Sequence, residues 1–342
     1  MKVEIKLLTN PQSLIPLKNQ YDGKIFNNKS NLLEAIFIPY KKNIIKVSSL
    51  LSELSWYKGT IFLMPSSLND LIELNLKPFT NVQILYIDNS DFIFFFNNLR
   101  TSAHKHSVPS SLHWDLPLKR NYAIWFSIKK GFNKILLVDD DITRINSAII
   151  ETGVFLLDKY IAVGSFIENY PDTSLIGHIQ LNQGIEIKCF LSGSFLLVSP
   201  RKITSFFPKI YNEDWVFMTP MILGKKICAA GKIKQKPCDP FAVPEKAIYQ
   251  EFGEVIAEGL FALINKSAFN LRYENCVWKE ILLKRKCELL DLQRKAKCNI
   301  QQDIISIALE QNVKILPSDC TEYIYSLDED TMSWESFLRE SI

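Results

Sequence analysis

Lys134-Ile135-Leu136-Leu137-Val138-Asp139-Asp140-Asp141 is the stretch that decides the fold, because an apolar strand runs directly into three consecutive carboxylates. Carboxylates this close repel one another, so the strand must end where a cation or hydrogen-bond donors offset their charge. Hard cations such as Mg²⁺ and Mn²⁺ select oxygen ligands. The stretch predicts a metal-assisted site at the carboxyl edge of a sheet. The alternative is a strand that ends in a solvated acidic turn.

Strand and helix patterns alternate on the amino-terminal side of this stretch. Apolar runs at 33–40, 60–64, 82–87 and 134–138 predict strands, and the segments 41–54, 68–76 and 118–130 have helical spacing. Continuous apolar strands that alternate with helices favour a mostly parallel sheet covered on both faces. Ligands of such sheets bind outside the carboxyl ends of the strands, so Pro39, Pro65, Asp88 and the three acids are expected to share one crevice.

The remaining segments are more mixed. We expect an inserted loop at 91–114, strands at 160–166, 185–190 and 194–198, and a helix that begins at Trp215. Beyond Lys266 the composition changes to helix-forming residues, and Trp278–Lys297 carries seven basic residues. This predicts a helical carboxy-terminal extension.

Composition restricts the function classes. The chain has 342 residues and a net charge of only +3, which argues against a dedicated nucleic-acid-binding protein. Its seven cysteines are scattered without the short paired spacings of a zinc site, so reduced thiols in a cytosolic compartment are expected. No run reaches the roughly 18 apolar residues of a spanning helix, and the amino terminus has no signal-peptide pattern. We therefore expect a soluble, cytoplasmic protein.

Three marks resemble those of the GT-A glycosyltransferases, in particular their large family of cytosolic nucleotide-sugar enzymes, over residues 33–225. The first is Ile38-Pro39-Tyr40 at the end of a strand, and the second is Lys119-Arg120-Asn121-Tyr122-Ala123 at the start of a helix. The third is Asp139-Asp140-Asp141, similar to the family's Asp-x-Asp motif, followed about seventy residues later by Glu213-Asp214. Each mark alone is weak, and the ordered set is more specific.

The resemblance implies an α/β, GT-A-like (Rossmann-like) and mostly parallel central sheet flanked by helices, with a C-terminal helical extension. It implies an extension at 1–30, a nucleotide-sugar-binding half at 31–145, an acceptor-binding half at 146–265 and the helical extension at 266–342. The implied reaction moves a sugar from a nucleoside-diphosphate sugar, with a UDP-sugar favoured, to a hydroxyl acceptor.

The resemblance also implies roles for single residues. Asp139 and Asp141 would hold Mn²⁺ or Mg²⁺ and thereby offset the charge that grows on the departing diphosphate. Pro39, Tyr40, Asp88, Arg120, Asp139 and Asp140 would contact the nucleotide. Arg120 suits this because guanidinium groups match phosphate geometry, although a surface arginine in a first helical turn is the alternative.

The acceptor side rests on fewer signals. Asp214, with Glu213, would act as the base of an inverting reaction, unless the pair only caps a helix. His178, Gly193 and Trp215 would contact the acceptor, although a loop histidine and a core tryptophan are equally ordinary.

The chain departs from the family at two places. Pro65-Ser66-Ser67 offers no acid after the second strand, and no histidine follows His178, so a late histidine ligand is missing. Any metal would then be held by the acids, the diphosphate and water, or by His178.

Three other functions stay open. Asp139-x-Asp141-x-Thr143 also matches the haloacid dehalogenase phosphatases, whose motif normally follows the first strand. The same strand is similar to the start of a response-regulator receiver, and a carrier that binds a nucleotide sugar without transfer is a third alternative.

The carboxy-terminal helices allow several roles. They could cap the cleft, form a homodimer or contact an anionic membrane surface. Packing on the body is favoured.

Overall fold

The computed structural model describes Ile15 and residues 32–41, 44–72, 74–109, 114–168, 175–185, 191–237, 239, 242 and 244–341. The extension expected at 1–30, apart from Ile15, and most of the strand expected at 185–190 lie outside these residues. Among the residues described, no helix combines the length and apolar character needed to cross a bilayer.

Eight strands of the described part of the chain form one sheet. They are β1 (Ala35–Tyr40), β2 (Thr60–Pro65), β3 (Val82–Ile84), β4 (Ile135–Val138), β5 (Ile142–Thr143), β6 (Ala162–Ile167), β7 (Leu191–Val198) and β8 (Ile227–Gln235). Their order is β3-β2-β1-β4-β7-β6-β8-β5. Neighbours are parallel except at β4–β7, β7–β6 and β8–β5. This is the mostly parallel, GT-A-like sheet that the sequence predicted.

Helices cover both faces of the sheet. Those described are α1 (Ile44–Glu53), α2 (Ser90–Asn97), α3 (Arg100–Ala103), α4 (Leu116–Lys130), α5 (Ser147–Leu156), α6 (Leu175–Asn182), α7 (Glu213–Leu223), α8 (Ala247–Asn265), α9 (Asn275–Lys295), α10 (Asn299–Lys314) and α11 (Pro317–Arg339). Because successive strand residues point to opposite faces, Phe37 packs in the core under α4, α7 and α8, whereas Ile36 and Ile38 pack in the core under α1 and α5.

The predicted loop at 91–114 is wrong. The segment contains α2 and α3, and α2 begins where the Asn89 side chain accepts a hydrogen bond of 2.8 Å from the Phe92 backbone N–H. Phe92 and Phe96 are buried on one side of this helix. A run of consecutive apolar residues has no visible period, so neither the helix nor its cap was recognised. The helix expected at 68–76 is also wrong in length, since only a 3₁₀ turn at Leu68–Leu71 forms.

The carboxy-terminal helices pack on the body. Trp278 of α9 and Trp334 of α11 are fully buried and belong to the same core as the α4 face of the sheet. Trp334 contacts the rings of Phe92 and Phe95. Deleting the predicted extension at 266–342 would therefore expose part of the main core.

A buried ionic cluster joins these helices to α8. Arg285 is fully buried and pairs with Glu251 at 2.9 Å, with Glu258 at 3.1 Å and with Glu254. Asn312 of α10 donates to Glu251 over 3.1 Å. Three buried acids thus pair with one buried guanidinium.

Arg285→Met should destabilise the protein by about 3–5 kcal/mol, because it leaves buried carboxylates without their cation. Urea unfolding followed by circular dichroism measures this. Arg294→Met, on the exposed side of the same helix, is the matched control and should change stability by less than about 0.5 kcal/mol. Equal effects of the two substitutions would mean that the cluster does not stabilise the packing of α8 on α9.

The Glu251 carboxyl should make stability depend on pH. Burial raises its pKa to about 6, against the attraction of Arg285. A raised folded-state pKa contributes stability that is fully present below the ordinary pKa of 4.5 and is lost as pH rises through 6. Between pH 4.5 and 7, wild type should lose about 2 kcal/mol more unfolding free energy than Glu251→Gln. Parallel pH profiles of the two proteins would contradict this.

Candidate functional site

The acidic edge lies where the carboxyl ends of β1, β2 and β4 meet the start of β7. Because β7 is antiparallel to β4, its first residues lie beside the acids that follow β4. The Asp139 backbone N–H donates to the Ser194 carbonyl over 2.8 Å, which places Gly193 next to the acidic stretch. The end of β1, the acidic stretch after β4 and Gly193 are far apart in sequence but therefore share one edge of the sheet.

Arg120 occupies the centre of this edge and is only 3% exposed. Its Nη2 donates to both carboxylate oxygens of Asp139 at 3.0 and 2.9 Å, and its Nη1 donates to Glu213 Oε1 at 2.8 Å. The guanidinium also lies 5.4 Å from the centre of the Phe207 ring. The alternative of a surface arginine is thus wrong. The same arginine links the start of α4, the end of β4 and the start of α7.

Burial and charge act in opposite directions on these groups. Burial raises the pKa of Glu213 to about 8 although Arg120 lowers it, and burial likewise raises the pKa of Asp139 and of Asp214. For Arg120, burial favours the neutral form, but Asp139, Glu213 and Asp214 outweigh it and raise its pKa above the ordinary value. The guanidinium stays charged, and the carboxyls around it hold protons more tightly than carboxyls in water.

Asp214 is fixed by two backbone donors. Its Oδ2 accepts from the Gly193 N–H at 2.7 Å, and its Oδ1 accepts from the Trp215 N–H at 2.9 Å. Asn212, just before the pair, has a left-handed backbone with φ 57°, which is uncommon for a residue other than glycine. The helix expected from Trp215 begins at Glu213, so the acid pair forms its first turn.

Gly193 has no room for a side chain. A Cβ there would lie 2.8 Å from Asp214 Cβ and 2.9 Å from Arg120 Nη1. The absence of a side chain lets the guanidinium and the Asp214 carboxylate both approach the strand backbone.

Asp141 faces a different set of partners. Its Oδ2 accepts from Lys46 Nζ at 3.1 Å and from Gln235 Nε2 at 3.3 Å. Its Oδ1 is buried and has no hydrogen-bond partner within the described part of the chain. Burial, together with the charges of Asp141 and Asp139, raises the pKa of Asp140 to about 7.

Sequence reasoning missed a second polar group at this edge. Lys119 is 2% exposed, and its Nζ donates to the Tyr40 carbonyl at 2.9 Å and to Ser66 Oγ at 2.7 Å. Asp70 accepts from the Ser66 and Ser67 N–H groups at 3.0 and 2.8 Å. An acid is therefore present after β2, although not in the expected sequence position. The spacing Ser67-x-x-Asp70 is close to a capping box and was the signal available in the sequence.

The other predicted residues lie in several different surroundings. Asp88 is exposed and lies 3.5 Å from the Tyr122 hydroxyl. Trp215 is 2% exposed and stacks on Phe261. His178 lies on α6, not in a loop, and burial lowers its pKa to about 4. Pro39 and Tyr40 end β1 at the acidic edge.

The oxygen atoms at this edge could contribute to the binding of a hard cation but do not form a complete metal site. The five carboxylates at 139–141 and 213–214 outnumber Arg120 and Lys46, the two cations that pair with them. The buried Asp141 Oδ1 without a partner is an oxygen that a cation could use. Within the described ranges, no group of three or more His, Cys, Asp or Glu side chains is arranged to hold a metal. Protein atoms could thus supply only part of a coordination shell.

Comparisons with known proteins give no family assignment. No protein-family model matches the chain, and no curated protein matches it. Fifty-five chains of solved structures are similar. One is a provisionally assigned nucleotide-diphospho-sugar transferase from Desulfovibrio desulfuricans G20, with 9% identity, a TM-score of 0.36, and coverage of 72% of this chain and 97% of that one.

Two others have slightly lower TM-scores. Protein A197 from STIV has 13% identity and a TM-score of 0.32, over 60% of this chain and 87% of its own. Mouse xyloside xylosyltransferase 1, in its apo form, has 10% identity and a TM-score of 0.30, over 49% and 68%. Such low values transfer neither an activity nor a ligand to this chain.

Gly193→Ala should destabilise the protein by about 1–3 kcal/mol, because the added Cβ overlaps Asp214 and Arg120. Thermal or urea unfolding measures this. Gly224→Ala, whose Cβ would meet its nearest neighbour at 3.3 Å, is the matched control and should cost less than about 1 kcal/mol. A fully stable Gly193→Ala protein would show that the close packing at the acidic edge is not required.

Proposed function

We propose that the chain is a glycosyltransferase that moves a sugar from a nucleoside-diphosphate sugar, with UDP favoured, to a hydroxyl acceptor. Mn²⁺ or Mg²⁺ would assist, and inversion is favoured with Asp214 as the base. The GT-A-like strand order and the ordered sequence marks support this class.

One observation carries the proposal: Asp139 and Glu213 pair with the buried Arg120 guanidinium. The charge of Asp214, whose carboxylate accepts from the Gly193 N–H, also acts on this guanidinium. A hydrophobic core has no need of an arginine and several acids, and burying them is costly unless they are paired. The Arg285 cluster shows that such pairing alone does not mark a site. The Arg120 cluster, however, lies at the carboxyl edge of an α/β sheet, where ligands bind, and this position favours a functional role.

The residues at this edge would have different roles in the reaction. Asp141, through its unpartnered Oδ1, and Asp139 would hold the cation together with diphosphate and water, and Asp140 would face the ribose. Bound there, the cation would offset the negative charge of the departing diphosphate. Arg120 would keep Asp139 oriented and would add positive charge beside the diphosphate.

Asp214 would accept the proton of the acceptor hydroxyl as the new bond forms. Its raised pKa makes it a stronger base than an exposed aspartate, and the Gly193 and Trp215 N–H groups hold its orientation. The adjacent Glu213, bound to Arg120, would position Arg120 and Asp214 relative to one another.

The phosphatase alternative finds no favouring contact in the site. The motif follows β4, the fourth strand along the chain, whereas that family places it after the first strand.

A melting-temperature screen of nucleotide sugars, with and without Mn²⁺, tests the function. We expect one nucleotide class to raise the melting temperature only with Mn²⁺, because binding to the folded state stabilises it. The same donor should then release nucleoside diphosphate slowly. The absence of any shift, with release of phosphate from a generic phosphate ester, would contradict the proposal.

Two substitutions test the assigned roles. Asp214→Asn should bind the donor as well as wild type does but reduce turnover about 10²–10⁴-fold, because only the base is lost. Asp141→Asn should abolish the Mn²⁺-dependent part of the melting shift. Asp303→Asn, on the exposed side of α10, is the control and should behave as wild type. Full turnover by Asp214→Asn would remove Asp214 from the role of base.

A further inference from the structure

The outward side of α9 carries a strip that no other part of the described chain covers. The strip consists of Cys276, Lys279, Leu283, Lys286, Leu290 and Arg294, which recur every three or four residues and are all exposed. Leu283 is 60% exposed and Leu290 is 40% exposed. The opposite side of the same helix, with Trp278, Arg285 and Leu289, is buried. The helix thus packs on the core with its buried side, and the strip faces outward.

The strip is basic. Among the described residues, Lys279 and Lys286 make no ion pair, and Arg294 lies 3.8 Å from Asp291. Asp291 is itself bound to Lys295. Glu280, on the flank, pairs with Lys284 outside the strip at 3.3 Å. Glu280 and Asp291 thus pair with lysines outside the strip.

We propose that this strip binds an anionic membrane surface. The two leucines are seven residues apart, about 10.5 Å along the helix, and project on the same side, so both can enter the interface while the flanking lysines reach lipid phosphates. Exposed leucines beside lysines are the residue types that interfacial helices use to enter the membrane boundary and to reach anionic headgroups. The positive charge of the strip complements an anionic lipid surface.

This proposal stands independently of the proposed transferase activity, because it concerns a different surface. Co-sedimentation of the full-length protein with phosphatidylcholine vesicles, with and without phosphatidylglycerol, tests it at low and high salt. Wild type should sediment only with the anionic vesicles, and high salt should release it.

The variant Lys279→Gln/Lys286→Gln should bind anionic vesicles about 25-fold more weakly, since each basic residue at such a surface is worth roughly fivefold in affinity. Leu283→Ser/Leu290→Ser should also weaken binding. All four side chains are exposed, so both variants should melt as wild type does. Lys58→Gln/Lys77→Gln, which changes two exposed lysines elsewhere, is the matched control and should bind normally.

Three results would overturn the proposal. They are failure of wild type to bind anionic vesicles, equal binding by wild type and both strip variants, and light scattering that shows a dimer which only the leucine variant dissociates. The last result would assign the strip to a second copy of the chain.

Discussion

A buried guanidinium that needs its carboxylates is the constraint on which the rest of the site depends. An unpaired charge in the interior costs several kcal/mol, so Arg120 can be buried only where Asp139 and Glu213 reach it. Those acids come from the end of β4 and the start of α7, so the pairing fixes α4, β4 and α7 relative to one another. The left-handed Asn212 and the bare Gly193 backbone are local consequences, because both let the acid pair and the guanidinium approach the strand.

The surrounding strands and helices hold Gly193 and the first turn of α7 in position. The antiparallel β7 between β4 and β6 brings Gly193 to the edge where the parallel strands end. The aromatic core beneath α7, which includes Phe207, Phe217 and the Trp215–Phe261 stack, leaves the first turn of α7 little freedom. The carboxy-terminal helices close the same core, so they are part of the scaffold and not an appendage. Their ionic cluster at Arg285 follows the same rule, since three buried acids pair with one buried arginine.

Much of the framework could be predicted from the sequence, because continuous apolar strands and helical spacing leave few alternatives. The β1, β2 and β4 strands, the helix α4 and the grouping of acids at the carboxyl edge followed from such patterns. The helix α2 could not be predicted in this way, since five neighbouring apolar residues show no period. The partners of Arg120 could not be predicted either, because no local pattern distinguishes an arginine that binds nucleotide from one that binds Asp139 and Glu213. The placement of Trp215 in the core likewise depends on tertiary contacts.

The account predicts that a donor and a cation meet at Asp141. Anomalous diffraction from crystals soaked with Mn²⁺ and the nucleotide sugar selected by the melting screen measures this most directly. The predicted result is a manganese peak bound to an Asp141 carboxylate oxygen and to the diphosphate, with the sugar directed toward Asp214. Manganese and diphosphate bound elsewhere, with Asp141 still paired to Lys46 and Gln235, would contradict the account.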